Sequence, residues 1–186
     1  MVFYQLDVLN QRTELVEPSS HIIAVYQDKE TKIDEAFRFL KSGLDKNEIV
    51  MPITDEISKD SIRKKMKKEW NVNVKELESS NNIIIRTAPE WYFPYGIPSA
   101  ERIIPRWLAL TEIARVKNKS GVRVFGDTGA FFRCGYAKEL VDYESTLEQK
   151  FSMTFTAICA YDSKNMESLS PEQLETLYMH HGIVWK

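Results

Sequence analysis

His21-Ile22-Ile23-Ala24-Val25-Tyr26 is an unbroken apolar run, rich in β-branched residues and opened by a histidine. Six such positions without polar alternation predict a strand buried on both faces, the kind that parallel sheets contain. Working outward, Ile33, Ala36, Phe37 and Leu40 recur at helical spacing, and Gly43 stands where a left-handed helix cap is wanted. Residues 48–54 read as a second strand, with Pro52 arguing for an edge or a bulge, and 58–70 as a charged helix. Residues 82–87 read as a third strand and 99–118 as a long helix, in which Pro105 marks a late start or a kink. Strands at 122–126 and 155–161 flank a helix at 139–151. Ser170-Pro171-Glu172-Gln173 has the form of a capping box with proline at the first helical position, and 182–185 reads as a last short strand. This alternation predicts an α/β fold: three layers, with a mostly parallel sheet flanked by helices.

The 186 residues, 43% hydrophobic and 28% charged, fit one domain with its own core. Residues 21–186 are read as that domain, and 1–20 as an N-terminal arm that is an extra strand, a helix or a partner-binding segment. With 25 basic and 27 acidic residues and a net charge of -2, the chain has no global field to recruit nucleic acid. The run Arg63, Lys64, Lys65, Lys67, Lys68 is read as a solvated helix face. The two cysteines, Cys134 and Cys159, lie in no CxxC or Cys/His sequence cluster, so neither a disulfide framework nor a zinc site is expected. Asp7, Arg12, Glu14 and Glu17 interrupt any leader or anchor in the first twenty residues. The expectation is a soluble, cytoplasmic protein.

In an open parallel sheet, ligands gather beyond the carboxyl ends of the strands. Acids stand at four of these ends: Asp28 after Tyr26, then Asp55 and Glu56, Asp127, and Asp162 after Tyr161. Each is equally a turn former or a helix cap. Residues 88–98 carry Glu90, Trp91 and three further aromatics between three prolines. That segment is a lid over an apolar pocket, a subunit contact, or ordinary core. Arg123, Phe125 and Asp127 share a face by the period of two, and Arg123 either pairs structurally or meets an anion. His180 and His181 diverge around a helix and cannot chelate one metal together. His21 is read as a satisfied structural histidine.

The turn after Tyr26, Gln27-Asp28-Lys29-Glu30-Thr31-Lys32, holds no glycine, which excludes a P-loop and a Rossmann dinucleotide turn. No GxSxG or HExxH occurs either.

Several stretches, taken in order, resemble the MEDS domain, the methanogen/methylotroph DcmR sensory domain. They are residues 21–26, then 39–44 with Asn47-Glu48, Tyr95-Gly96, 122–127, 157–162 and His181. Asp127 stands where the family pattern leads one to expect Glu, and residues 129–132 where a Trp is expected. The resemblance implies a degenerate RecA-like fold without its nucleotide machinery. It also implies a non-enzymatic sensor of small, hydrocarbon-derived molecules. Such a sensor takes a small organic ligand, no cofactor and no metal, and works through a signalling partner on another chain or through a homo-oligomer. It makes no direct contact with nucleic acid or membrane. Tyr26, Asp28, Glu90, Trp91, Arg123, Asp127, Phe131, Tyr161 and Asp162 are the candidate ligand-binding residues. The competing readings are an enzyme using Asp127 with Asp162 as general acid and base, and a protein-interaction module with a vestigial cleft.

Overall fold

In the computed structural model, residues 12–13, 15–54 and 56–186 are described. The expectations for residues 1–11, for Glu14 and for Asp55 lie outside them. Strands β1 (His21–Tyr26), β2 (Ile49–Ile53), β3 (Val122–Asp127), β4 (Phe155–Asp162) and β5 (Ile183–Trp185) form one sheet in the order β2-β3-β4-β1-β5. Every pairing is parallel. β1 and β4 are therefore interior, as their unbroken apolar character demands.

Helices cover both faces. On one side α1 (Lys29–Asp45), α2 (Lys59–Trp70) and α3 (Val74–Ser79) pack on Ile22, Ala24, Phe125 and Ile158. On the other side lie α4 (Ala88–Tyr92), α5 (Ala100–Val116), α6 (Gly129–Arg133), α7 (Ala137–Glu144), α8 (Ser163–Glu167) and α9 (Pro171–His180). Their buried side chains meet Ile23, Met51, Val124, Phe155 and Cys159. The three-layer α/β expectation is met. Among the described helices none is long and apolar enough to cross a membrane.

Four local expectations need correction. Gly43 is not a left-handed cap: the helix runs on to Asp45, and Asn47 takes the positive φ of 62°. Gly43 is instead where the Arg123 side chain crosses α1, since a Cβ there would stand 2.5 Å from Arg123 Cδ.

The strand expected at 82–87 is a broken ladder beside β2. Val50 N–H donates to Asn82 O at 3.0 Å and Thr54 N–H to Arg86 O at 3.2 Å. The bond between them falls to Pro52, which has no N–H, so only isolated bridges at Val50–Ile83 and Ile53–Arg86 remain.

The helix expected at 139–151 ends at Glu144. Two carbonyls past that end are taken by histidines: Leu147 O by His180 Nδ1 at 2.9 Å and Glu148 O by His21 Nδ1 at 3.1 Å. Pro105 lies inside α5, which begins at Ala100, so it does not mark a late start.

The described part of the N-terminal segment lies on the domain. Arg12 pairs with Glu35 at 2.5 Å and sits 4.6 Å over the Trp185 ring. Val16 is buried in the core beneath α1, and Ser20 bridges Lys150 in antiparallel fashion.

Candidate functional site

At the carboxyl ends of β1, β3 and β4, on the α1 face, one lysine meets three carboxylates. Asp28 caps α1, accepting from Thr31 N–H at 2.8 Å. Capping turns Lys32, in the first turn of the helix, inward, where it is 2% exposed. Its ammonium donates to Glu56 Oε1 and Asp162 Oδ1, both at 2.8 Å, and lies 3.5 Å from Asp127 Oδ2. Asp127 Oδ1 accepts from Gly129 N–H at 2.9 Å.

Burial pulls the Lys32 pKa down, but Asp127, Asp162 and Glu56 outweigh it and hold the ammonium above its usual range. Asp127 goes the other way for a carboxylate: burial pushes it up, against the pull of Lys32 and the Gly129 N–H, and the push prevails. Further cations stand at this rim: a Cβ at Gly129 would lie 3.1 Å from Arg133 Nη1 and 3.2 Å from Asp127 Oδ1, and the Lys29 ammonium donates to Glu56 O at 2.8 Å.

The sequence candidates do not converge on one pocket. Asp127 and Asp162 meet through Lys32, and Asp28 is beside them as a cap. Arg123 is at the opposite end of β3, 1% exposed, where its Nε donates to Glu48 Oε2 at 2.5 Å and its guanidinium lies 4.8 Å over Phe39. It forms a buried ion pair with Glu48, away from the acidic strand ends. Tyr26 is buried against α1, where burial and then Glu35 push its hydroxyl pKa well up. Glu90 caps α4 and pairs with Lys59 at 2.6 Å on the surface.

Trp91, Phe131 and Tyr161 belong to the core of the opposite face. The aromatic segment therefore does not fold over the acidic rim as a lid. It divides. Trp91 and Tyr92 are core, and the Tyr92 hydroxyl lies so close over β3 that a Cβ at Gly126 would meet it at 2.6 Å. Tyr95 and Ile97 are 83% and 60% exposed.

Between this segment and α5 runs a groove of about 550 Å³, with Phe93, Tyr95, Ile97 and Pro105 as apolar wall and Arg102 and Arg106 as cations. Arg106 is anchored: it donates to the carbonyls of Trp91 and Glu90 and stacks 4.2 Å over the Trp91 ring. The larger concavities border α1 and α2, and α2 and α3, and are lined mostly by charged side chains.

Deeper in the same face is a cluster that spacing along the chain does not show. His21 opens β1, Cys159 faces the same side of β4, Glu144 ends α7 and His181 follows α9. Their ligand-type atoms lie within 4.8 Å of one another. Glu144 is buried, yet the two histidines and the Cys159 thiol outweigh burial and hold its carboxyl below the usual range. Burial lowers His181 to about 4, against the pull of Glu144, and burial and then Glu144 raise the Cys159 thiol well up. Beside them Tyr92, Trp107, Tyr143 and Phe155 close round a void of about 10 Å³, roughly the room of one water.

Lys32 and Glu144 were not among the sequence candidates, Glu56 was named only as an acid at the strand ends, and His21, Cys159 and His181 were not read as a set. Lys32 had a signal, since it sits where a P-loop lysine would follow the turn. The cluster of four had none, because its members are brought together by sheet pairing and two helix ends.

Comparisons agree with this architecture. The family model described as MEDS, the methanogen/methylotroph, DcmR sensory domain, matches residues 20–182. Among curated proteins nothing matches. Among solved structures, the crystal structure of the flagellar accessory protein FlaH from Methanocaldococcus jannaschii is similar, with a TM-score of 0.56 at 14% identity, covering 96% of this chain and 75% of that one. At that identity the likeness is one of fold, and it accords with the RecA-like arrangement.

Proposed function

Because the chain belongs to the MEDS family of sensory domains, we propose that it senses a small organic molecule, held in the groove between the aromatic segment and α5, and passes the signal to another protein chain. The groove carries this reading. Its volume of about 550 Å³ suits a small ligand. Phe93, Tyr95 and Ile97 supply apolar area, and Arg102 adds a charge that orients a polar or anionic substituent. The ligand class favoured is therefore a hydrocarbon skeleton bearing one acceptor group.

Two features support binding without turnover. Asp127 and Asp162, the acids that an enzyme would use, both face the Lys32 ammonium, which ties them to a structural cation in place of a substrate proton. The glycine-free turn after β1 likewise disfavours a nucleotide.

The test is thermal denaturation with a panel of short alcohols, carboxylates, amines and haloalkanes, on the wild type and on Ile97→Asp and Tyr95→Ala. Both side chains are largely exposed, so the variants keep the unliganded melting temperature. One chemical class should raise the wild-type melting temperature and raise it less in either variant. Stabilisation that is equal in all three proteins, or absent with every compound, overturns the groove as the ligand site.

A further inference from the structure

We propose that His21, Glu144, Cys159 and His181 form a buried transition-metal site, of the tetrahedral kind that zinc occupies. This site is separate from the groove.

Both histidines are oriented by backbone. His21 Nδ1 faces the carbonyls of Glu148 at 3.1 Å and His180 at 2.9 Å, and His181 Nδ1 faces Leu177 O at 2.6 Å. A carbonyl only accepts, so each Nδ1 carries a proton, and in a neutral ring it is Nε2 that presents the lone pair. Both Nε2 atoms stand beside a carboxylate: His21 Nε2 lies 3.2 Å and His181 Nε2 3.6 Å from Glu144 Oε2. No hydrogen bond satisfies Glu144 Oε2 or His181 Nε2 among the described residues, although both atoms are buried. Acceptors facing acceptors in a dry interior repel unless a cation or a proton stands between them.

The spacings favour a metal. Bonds of about 2.0–2.2 Å to nitrogen and oxygen and about 2.3 Å to sulfur give tetrahedral ligand edges of roughly 3.3–3.6 Å. The two nitrogen-to-oxygen distances above, and 3.5 Å from Cys159 Sγ to His21 Nε2, fall in or beside that range. Histidines held through Nδ1 by carbonyls are also the usual outer support of metal-bound imidazoles.

The donor set of two imidazoles, one carboxylate and one thiol suits Zn²⁺ and its first-row neighbours, not Mg²⁺ or Ca²⁺. Binding a divalent ion displaces the thiol proton to solvent, and the thiolate and carboxylate then balance its charge. The imidazole rings, stacked 3.9 Å apart, spread as the ion enters. Three chain regions far apart in sequence would then be joined at the edge where β5 completes the sheet.

The test uses an untagged full chain carrying Cys134→Ser, which removes the exposed thiol and leaves Cys159 as the sole cysteine. Purified without chelator, or refolded with Zn²⁺, it should hold one equivalent of metal by elemental analysis. Replacing that metal with Co²⁺ should give the intense visible bands of a tetrahedral site and a thiolate charge-transfer band in the near ultraviolet. Adding Cys159→Ser should abolish the charge-transfer band, and Glu144→Gln should weaken Co²⁺ uptake by tenfold or more, with circular dichroism reporting the fold. If a variant fails to fold, the charge-transfer band in the Cys134→Ser protein still assigns the sulfur. Less than a tenth of an equivalent under both preparations, or metal content unchanged by Cys159→Ser, overturns the proposal.

Discussion

Arg123 can lie buried across α1 because residue 43 offers no side chain to obstruct it. A Cβ on Gly43 would come within 2.5 Å of Arg123 Cδ and 2.7 Å of Glu48 Oε2. Both partners are flexible by chemistry, but they are 1% and 5% exposed and have no space to retreat into. Two effects compete in Gly43→Ala. Alanine gains roughly 1 kcal/mol in helix propensity, whereas overpacking a buried site costs about 1–3 kcal/mol, and here it also disturbs a desolvated ion pair. The loss prevails, and urea denaturation should show the variant less stable by about 1–2 kcal/mol. An unchanged or raised midpoint would mean that the ion pair adapts freely. The spacing of Arg123 and Asp127 correctly gave them one face, but could not say that four residues along a strand put them at opposite ends of the molecule's interior. Only Asp127 reaches the rim.

At the scale of elements, α1 sets the charge balance of the strand ends, because its first turn delivers the ammonium that three carboxylates there share. Lys32→Met leaves those carboxylates facing one another and should cost about 3 kcal/mol at neutral pH, the usual penalty for breaking a buried pair. Asp127→Asn should be neutral or stabilising. Its reason is linkage: burial raises the Asp127 pKa above the ordinary 3.8, so the folded state holds that proton more tightly than the unfolded chain. The stability Asp127 contributes is therefore lost as the pH rises through its folded pKa, and asparagine removes that loss. The Lys32→Met penalty, by the same logic, shrinks in acid as Asp127 takes up its proton. Denaturation midpoints at pH 7 and pH 4 check both signs, and a Lys32→Met cost that grows in acid contradicts them.

Elements with strong periodicity or clean caps were legible. The strands at 21–26, 122–127 and 155–162 follow from apolar runs, and the capping box of α9 is present in full. α4 was missed although Thr87-Ala88-Pro89-Glu90 carries the same signature, and the structure shows that box complete too. The aromatic content of the segment drew the reading toward a lid. Residues 82–87 misled for the opposite reason, since their own pattern is that of a strand and the defect belongs to Pro52 across the gap. Asp127 and Asp162 were legible as neighbours because both end adjacent strands. Lys32 and Glu144 were not, since their partners are chosen by packing.

For the whole molecule, the two faces of the sheet carry separate chemistry. The α1 face ends in a rim of carboxylates gathered on Lys32, and the α5 face holds the aromatic groove with the histidine and cysteine cluster beneath its core. A parallel sheet ordinarily takes its ligand at the strand ends through a glycine-rich turn and a helix N-terminus. Here the turn has no glycine, Asp28 occupies the helix N-terminus, and Lys32 is already shared by Glu56, Asp162 and Asp127. A triphosphate would have to displace three carboxylates from that lysine while approaching their charge. The expectation is that Mg-ATP at millimolar concentration leaves the melting temperature unchanged. Asp127→Asn combined with Asp162→Asn should not create binding either, since the turn still lacks the close backbone approach that phosphate needs. A stabilisation by Mg-ATP that is lost in Lys32→Met would show instead that the strand ends bind nucleotide, and would move the sensory site from the α5 face to the α1 face.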